Sequence, residues 1–156
     1  MSFDLRVEGL EDIMDSFERI RKGLASPEML GRMAGHAKEA VVARTLSGKD
    51  VANAPFKPYS KKYGRTREKR GVNGTAVDLR LTGEMLGDIS ARQGPLRNES
   101  MVFFRSKKSA EKARCHQAGA GRNGVRRSFF GLNTGEKQGV EEILEEHINR
   151  IIKDAH

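Results

Sequence analysis

Apolar and polar positions alternate at the start of the chain, where Phe3, Leu5 and Val7 are separated by Asp4 and Arg6 and followed by Glu8 and Gly9. A two-residue period of this kind predicts a short half-buried strand. From Leu10 the spacing widens to three and four, through Ile13, Met14, Phe17, Ile20 and Leu24, with Glu11 and Asp12 in the first turn. That is the pattern of an amphipathic helix whose acids suit the positive end of its dipole. Ser26-Pro27-Glu28 then signals a second helix, because Ser caps free amides and Pro tolerates the first helical position. It is expected to run to about Ser47, with Leu30, Met33, Ala34, Ala37, Val41 and Leu46 as its buried stripe and Gly48 as its stop. The small residues of the stripe predict close packing, and the first two helices an antiparallel pair.

Residues 48 to 76 break the periodicity with Pro55, Pro58, Gly64, Gly71 and Gly74, leaving Phe56, Tyr59 and Tyr63 as the bulky apolar groups. They read as a long loop with one helical turn near Ser60, mobile in an isolated subunit and ordering on assembly. Met85, Leu86 and Ile89 have the spacing of one short helix. Residues 89 to 96 and 99 to 105 read as two strands joined around Arg97-Asn98, the second carrying Met101, Val102, Phe103 and Phe104. A short helix is expected over Ser109 to Gln117, then a glycine-rich loop through Gly119, Gly121 and Gly124. Asn133 to Glu136 can cap a last helix, in which Val140, Ile143, Leu144, His147, Ile148, Ile151 and Ile152 recur every three to four residues. The expected fold is a single α+β domain over residues 1–156. A small antiparallel sheet packs with an N-terminal helix pair and a long C-terminal helix, with a long basic loop at about 48–76.

Charge sharpens this picture. The formal net charge is +8 in 156 residues. Residues 57 to 70 hold seven Lys and Arg against Glu68, and residues 105 to 127 hold eight against Glu111, so the remainder of the chain is acidic. Two basic segments on an acidic body suit directional docking better than uniform coating of a polyanion. No run approaches the ~18 apolar residues of a membrane span, and the start of the chain lacks the features of a signal peptide, so a cytoplasmic protein without membrane contact is expected. Cys115 is the only cysteine, which rules out an internal disulfide and any zinc ribbon.

Catalytic constellations are sparse. Cys115 and His116 are neighbours that diverge by about 100° on a helix, and no third group is evident to orient the imidazole. His36, His147 and His156 read as packing or solvent-facing. The glycines at 119, 121 and 124 lack the spacing of a phosphate-binding loop. Glu141, Glu142, Glu145 and Glu146 read as the solvated face of the last helix. No enzyme activity, metal or cofactor is expected. Lys and Arg interleaved with Tyr59, Tyr63 and Phe56 leave a nucleic-acid-binding module without catalysis as the alternative.

Five stretches occur in order: Thr45-Leu46-Ser47-Gly48-Lys49-Asp50, Pro55-Phe56-Lys57-Pro58-Tyr59-Ser60, Leu81-Thr82-Gly83-Glu84-Met85-Leu86, His116-Gln117-Ala118-Gly119 and Arg127-Ser128-Phe129-Phe130-Gly131-Leu132. Together they resemble the phage virion-morphogenesis family, which includes tail-completion proteins of contractile-tailed phages and prophages. Gly124-Val125-Arg126 stands where such proteins often carry a proline-containing segment. The resemblance spans about residues 40 to 135. It implies a structural subunit of the virion, assembled in the host cytoplasm, that completes the tail end and helps head-tail joining. Tail-tube or head-tail connector proteins are the implied partners, alongside sister copies in a homo-oligomer such as a ring. The partner-facing surface is expected at Phe56, Lys57, Tyr59, Lys61, Lys62, Arg65, Arg126 and Arg127, by electrostatic docking with Tyr59 as an anchor; contact with DNA is the further option.

Overall fold

The structure is a computed structural model that describes residues 26–96, 98–121 and 124–154, together with Asp15, Glu18 and Gly23, which are helical. The strand expected at Phe3–Val7 lies outside the described residues. So does the helix expected over Leu10–Leu24, apart from those three positions, and with it the antiparallel pairing of the first two predicted helices.

The described elements run α1 (Pro27–Leu46), α2 (Lys61–Glu68), α3 (Glu84–Gly87), β1 (Ile89–Gln93), β2 (Ser100–Phe104), α4 (Lys107–Ala118) and α5 (Thr134–Asp154). The fold is α+β: β1 and β2 form an antiparallel hairpin, and α1 packs against both strands and against α5. The register sets Ile89 opposite Phe104 and Ala91 opposite Val102. Because neighbouring residues of a strand face opposite ways, this places Ile89, Val102 and Phe104 on one face, which enters the core. There they meet Val41 of α1, Phe56, Leu79, Met85, Leu86, Ala113 of α4 and Phe129.

Local sequence explains the helix ends. Ser26 Oγ accepts from the Met29 amide at 3.2 Å with Pro27 behind it, the start expected for α1. At α5, Asn133 Oδ1 accepts from the Glu136 amide and Glu136 Oε2 accepts from the Asn133 amide, both at 2.9 Å. This reciprocal pair closes the helix start that the sequence suggested. Gly119 ends α4 with φ +70°, and a Cβ there would meet Gly124 O at 3.0 Å, so a side chain is excluded twice over. Gly23 works by proximity instead: an added Cβ would lie 2.6 Å from Ile151 Cδ1 of α5.

Two expectations are corrected. Leu46 is 42% exposed and not part of the α1 stripe, since five residues at about 100° each carry it well round the helix from Val41. The segment from 48 to 76 is also no open loop. An isolated bridge joins Lys49 to Pro55, Phe56 is in the core at 5% exposure, and α2 extends for eight residues. The reason is a buried arginine that composition alone counts as surface charge.

Candidate functional site

That arginine is Arg67, the sole buried residue of α2 and itself 0% exposed. Tyr59, Tyr63 and Arg67 fall at four-residue intervals, which on a helix and its lead-in forms one row. Arg67 Nε donates to Asn73 O at 2.8 Å, Nη1 to Arg80 O at 3.0 Å, and Nη2 to Asp78 Oδ1 at 2.9 Å. Its guanidinium also lies over the Tyr59 ring, 4.8 Å from the centroid. One planar fork thus holds both ends of the connection from α2 towards α3. Between Asp78 and Arg80 sits Leu79, buried, with the positive φ of +52° that branched and bulky residues avoid. Asp78 Oδ1 also accepts from the Arg80 amide at 2.9 Å, so the turn is clamped on both sides.

A second arginine completes the mount. Arg127, 8% exposed, donates from Nε and Nη2 to Lys57 O at 3.2 and 2.9 Å, and from Nη2 to Pro58 O at 3.2 Å. Its guanidinium lies 5.0 Å from the Tyr59 centroid, while Tyr63 meets that ring edge-on at 4.9 Å. Burial, the largest influence, pushes the Tyr59 phenol above its ordinary pKa, with Arg67 opposing. Gln117 of α4 ties the following residues down: its Oε1 accepts from the amides of Phe129 (2.7 Å) and Phe130 (3.1 Å), and its Nε2 donates to Phe130 O. Arg127 N donates to His116 O, and Val51 N to Ser128 O, both at 2.8 Å. The stretches around 49–60, 116–119 and 127–132 therefore meet in space, although dozens of residues separate them.

The candidate surface residues divide. Lys57, Lys61, Lys62, Arg65 and Arg126 are exposed; Tyr59 is half-buried. Phe56 and Arg127, expected on the partner-facing surface, are corrected to buried positions. Phe56 fills the core, and the Arg127 guanidinium is drawn inward by two carbonyls and an aromatic ring. Tyr59, expected as an anchor for a partner, lends its ring to the two guanidiniums of its own domain. Sequence reasoning missed Arg67 and Arg44 as buried clamps and quoted Gln117 only within the His116-Gln117-Ala118-Gly119 stretch; the Tyr59-Tyr63-Arg67 interval is the one signal that marks the first of them.

The two basic segments differ in electrostatics. In the second, Lys108 and Lys112 share Glu84 at 3.5 and 3.3 Å, Arg114 pairs with Glu111 at 2.7 Å, and Arg105 approaches Asp88 at 3.8 Å. In the first, none of Lys57, Lys61, Lys62, Arg65, Lys69 and Arg70 forms an ion pair among the described residues. The excursion thus presents uncompensated positive charge on a fixed frame.

Beneath it lies a cleft of about 500 Å³, lined by Tyr59, Tyr63, Leu79, Cys115, His116 and Arg127 among others. No hydrogen bond joins the Cys115 thiol to the His116 imidazole. Among the described residues no group of three or more His, Cys, Asp or Glu could hold a metal ion, and no helix is long and apolar enough to cross a membrane. Burial first, and then the charge of Arg127, lower the pKa of His116. Below a pH of about 6.5 the unfolded chain takes up a proton here before the folded one does, so stability is expected to fall as pH drops through that window and to be complete above it. Replacing His116 with Gln should flatten this part of the acid limb, read as the difference in urea midpoints between mildly acidic and neutral buffer.

No protein-family model, no curated protein and no solved structure matches this chain.

Proposed function

We propose that the protein is a non-enzymatic assembly subunit of a tailed-phage or prophage particle that completes the tail end and helps join it to the head. The observation that carries this reading is the uncompensated cationic face of residues 57–70, mounted on the core by Arg67 and Arg127. Positive charge without partners inside its own domain is suited to acidic surfaces of neighbours, where complementary potentials steer encounter and set orientation. The resemblance of five stretches to virion-morphogenesis proteins supplies the biological setting. In that setting tail-tube or head-tail connector proteins and sister copies are the partners, and the finished virion, put together in the host cytoplasm, is the location.

The deciding experiment is electron microscopy of a lysate from a phage or prophage deleted for this chain. Unfinished tails or unjoined heads and tails are the expected result, and complete infectious particles would sink the reading. The same unpaired cations favour one rival, a nucleic-acid-binding module. It requires binding to random duplex at low salt with affinity that drops steeply as salt rises, since each phosphate contact releases counterions. Absence of such binding eliminates it.

A further inference from the structure

The cleft beneath the excursion does not stand alone. It shares Tyr63, Leu79 and His116 with a second cleft of about 260 Å³, which runs past Leu81 and Met85 to Arg70 and Lys112. The three shared residues form a saddle between the two, and the joint trough falls within the roughly 300–1,000 Å³ of small-ligand clefts. Its floor is apolar: Leu79 and Met85 are buried, and Leu81 and Val125 are half-buried. Cations stand toward its two ends, Arg127 in the first cleft and Arg70 with Lys112 in the second. Among the described residues no Asp or Glu lines either cleft. The cleft at the start of α4 is different, because Glu84 and Asp88 line it and pair with its Lys108 and Arg105. Charge is compensated there and left uncompensated in the trough.

An apolar floor between cationic ends complements a segment whose acidic side chains flank apolar ones. An extended chain sends alternate side chains to one face, so it can reach such a floor without a folded domain entering the trough. Nucleic acid fits less well. The Tyr59 ring already carries the guanidiniums of Arg67 and Arg127 and the edge of Tyr63, which leaves it no part as a stacking platform for a base. We infer that the trough binds an extended acidic peptide segment of a neighbouring protein, with apolar side chains on Leu79, Leu81 and Val125 and carboxylates toward its two ends. Exposed Arg70 and Lys112 make the direct contacts; Arg127 keeps its own carbonyl partners and contributes positive potential. This rests on the assembly reading and names the chemistry of the partner that the reading requires. His116 on the saddle couples the contact to pH. The titratable and charged groups that line the clefts with it are Tyr59, Tyr63, Cys115, Arg70, Lys112 and Arg127, none of which supplies negative charge near neutral pH. Glu84 nearby is engaged by Lys108 and Lys112. A carboxylate seated beside the imidazole favours its protonated form, so the segment binds with uptake of a proton and more tightly in mild acid.

Cys115, the only cysteine, lines the first cleft and reports on its occupancy. The test pans an mRNA-displayed library of short random peptides against the full-length chain, then asks whether the selected peptides slow alkylation of Cys115 by a maleimide. Enriched peptides should carry Asp or Glu on both sides of apolar residues and should slow the alkylation. They should bind Arg70→Glu about tenfold more weakly. Arg70 is exposed and its side chain makes no hydrogen bond among the described residues, so this variant should keep the circular dichroism of the wild type. Binding should also be tighter in mildly acidic than in neutral buffer, a difference that His116→Gln removes. No enriched class, an enriched class without acids, unchanged alkylation, unchanged binding to Arg70→Glu, or equal affinity in the two buffers would each overturn the inference. Duplex DNA that protects Cys115 where peptides do not would overturn it too, assigning the trough to phosphates. A chain that binds no peptide but whose deletion leaves tails unfinished removes only this inference, whereas complete particles from the deletion remove the assembly reading beneath it.

Discussion

Replacing Arg67 with Ala is expected to lower the stability of the whole domain by about 3–5 kcal/mol, the range for removing one partner of a buried, hydrogen-bonded ion pair. The side chain is fully buried, and three separate acceptors each lose a hydrogen bond: the carbonyls of Asn73 and Arg80 and the carboxylate of Asp78, which keeps only the Arg80 amide. Leu79 would also lose the clamp on its positive-φ turn, a conformation that by itself costs on the order of 1–3 kcal/mol. Urea titration should show the loss as a shifted midpoint. For a chain of this size each kcal/mol corresponds to roughly 2–4 °C, so a melting temperature lower by on the order of 10 °C should accompany it. Arg67→Lys should recover little, because one ammonium cannot span acceptors on both sides of the fork. A midpoint within error of the wild type would mean that α2 is not mounted in this way.

A loss of similar size is expected from Arg44→Ala, for a different reason. Arg44 sits near the end of α1, and its Nη2 donates to Phe129 O at 2.6 Å and Gly131 O at 2.9 Å, while Nη1 pairs with the Glu136 carboxylate. That same carboxylate accepts from the Asn133 amide at the start of α5. One side chain therefore connects α1, the Phe129–Gly131 turn and the first turn of α5. Truncation removes the charge partner of a largely buried carboxylate and the side-chain donor to two carbonyls, and about 3–5 kcal/mol is again the expected cost. Arg44 Nε is buried without a hydrogen-bond partner, so the wild-type arrangement is not fully satisfied. Exchanging Arg44 and Glu136 together for apolar residues should therefore cost less than either single change. A double mutant no better than Arg44→Ala would show that the pair contributes more than the relief of an orphaned charge.

Both arginines mark the limit of what the chain's pattern reveals. The helices α1, α4 and α5, the hairpin and the capping pair at Asn133 and Glu136 are visible in spacing and end signals, because these depend on residues three or four positions apart or on opposite strands of one turn. His147, set in the apolar stripe of α5, packs as expected: its Nε2 lies 2.9 Å from Gly23 O, and its Nδ1 accepts from Arg150 Nη2 at 2.9 Å. The exposure of five of the eight candidate residues was legible too. Lys57, Lys61, Lys62, Arg65 and Arg126 lie beside prolines, glycines and one another, where nothing apolar covers them.

The sequence by itself thus determined the α+β class, the order of the described helices and strands apart from α2, and the concentration of positive charge in residues 57–70. Only the tertiary structure decided which of those charges are surface and which are structure. Lys61 and Arg67 are equal in composition, yet one is exposed and the other has no contact with solvent. The difference is made by Asn73, Asp78 and Arg80 arriving from further along the chain to accept its hydrogen bonds. A guanidinium is buried only where such acceptors converge, and convergence is a property of the folded path, which local periodicity does not encode.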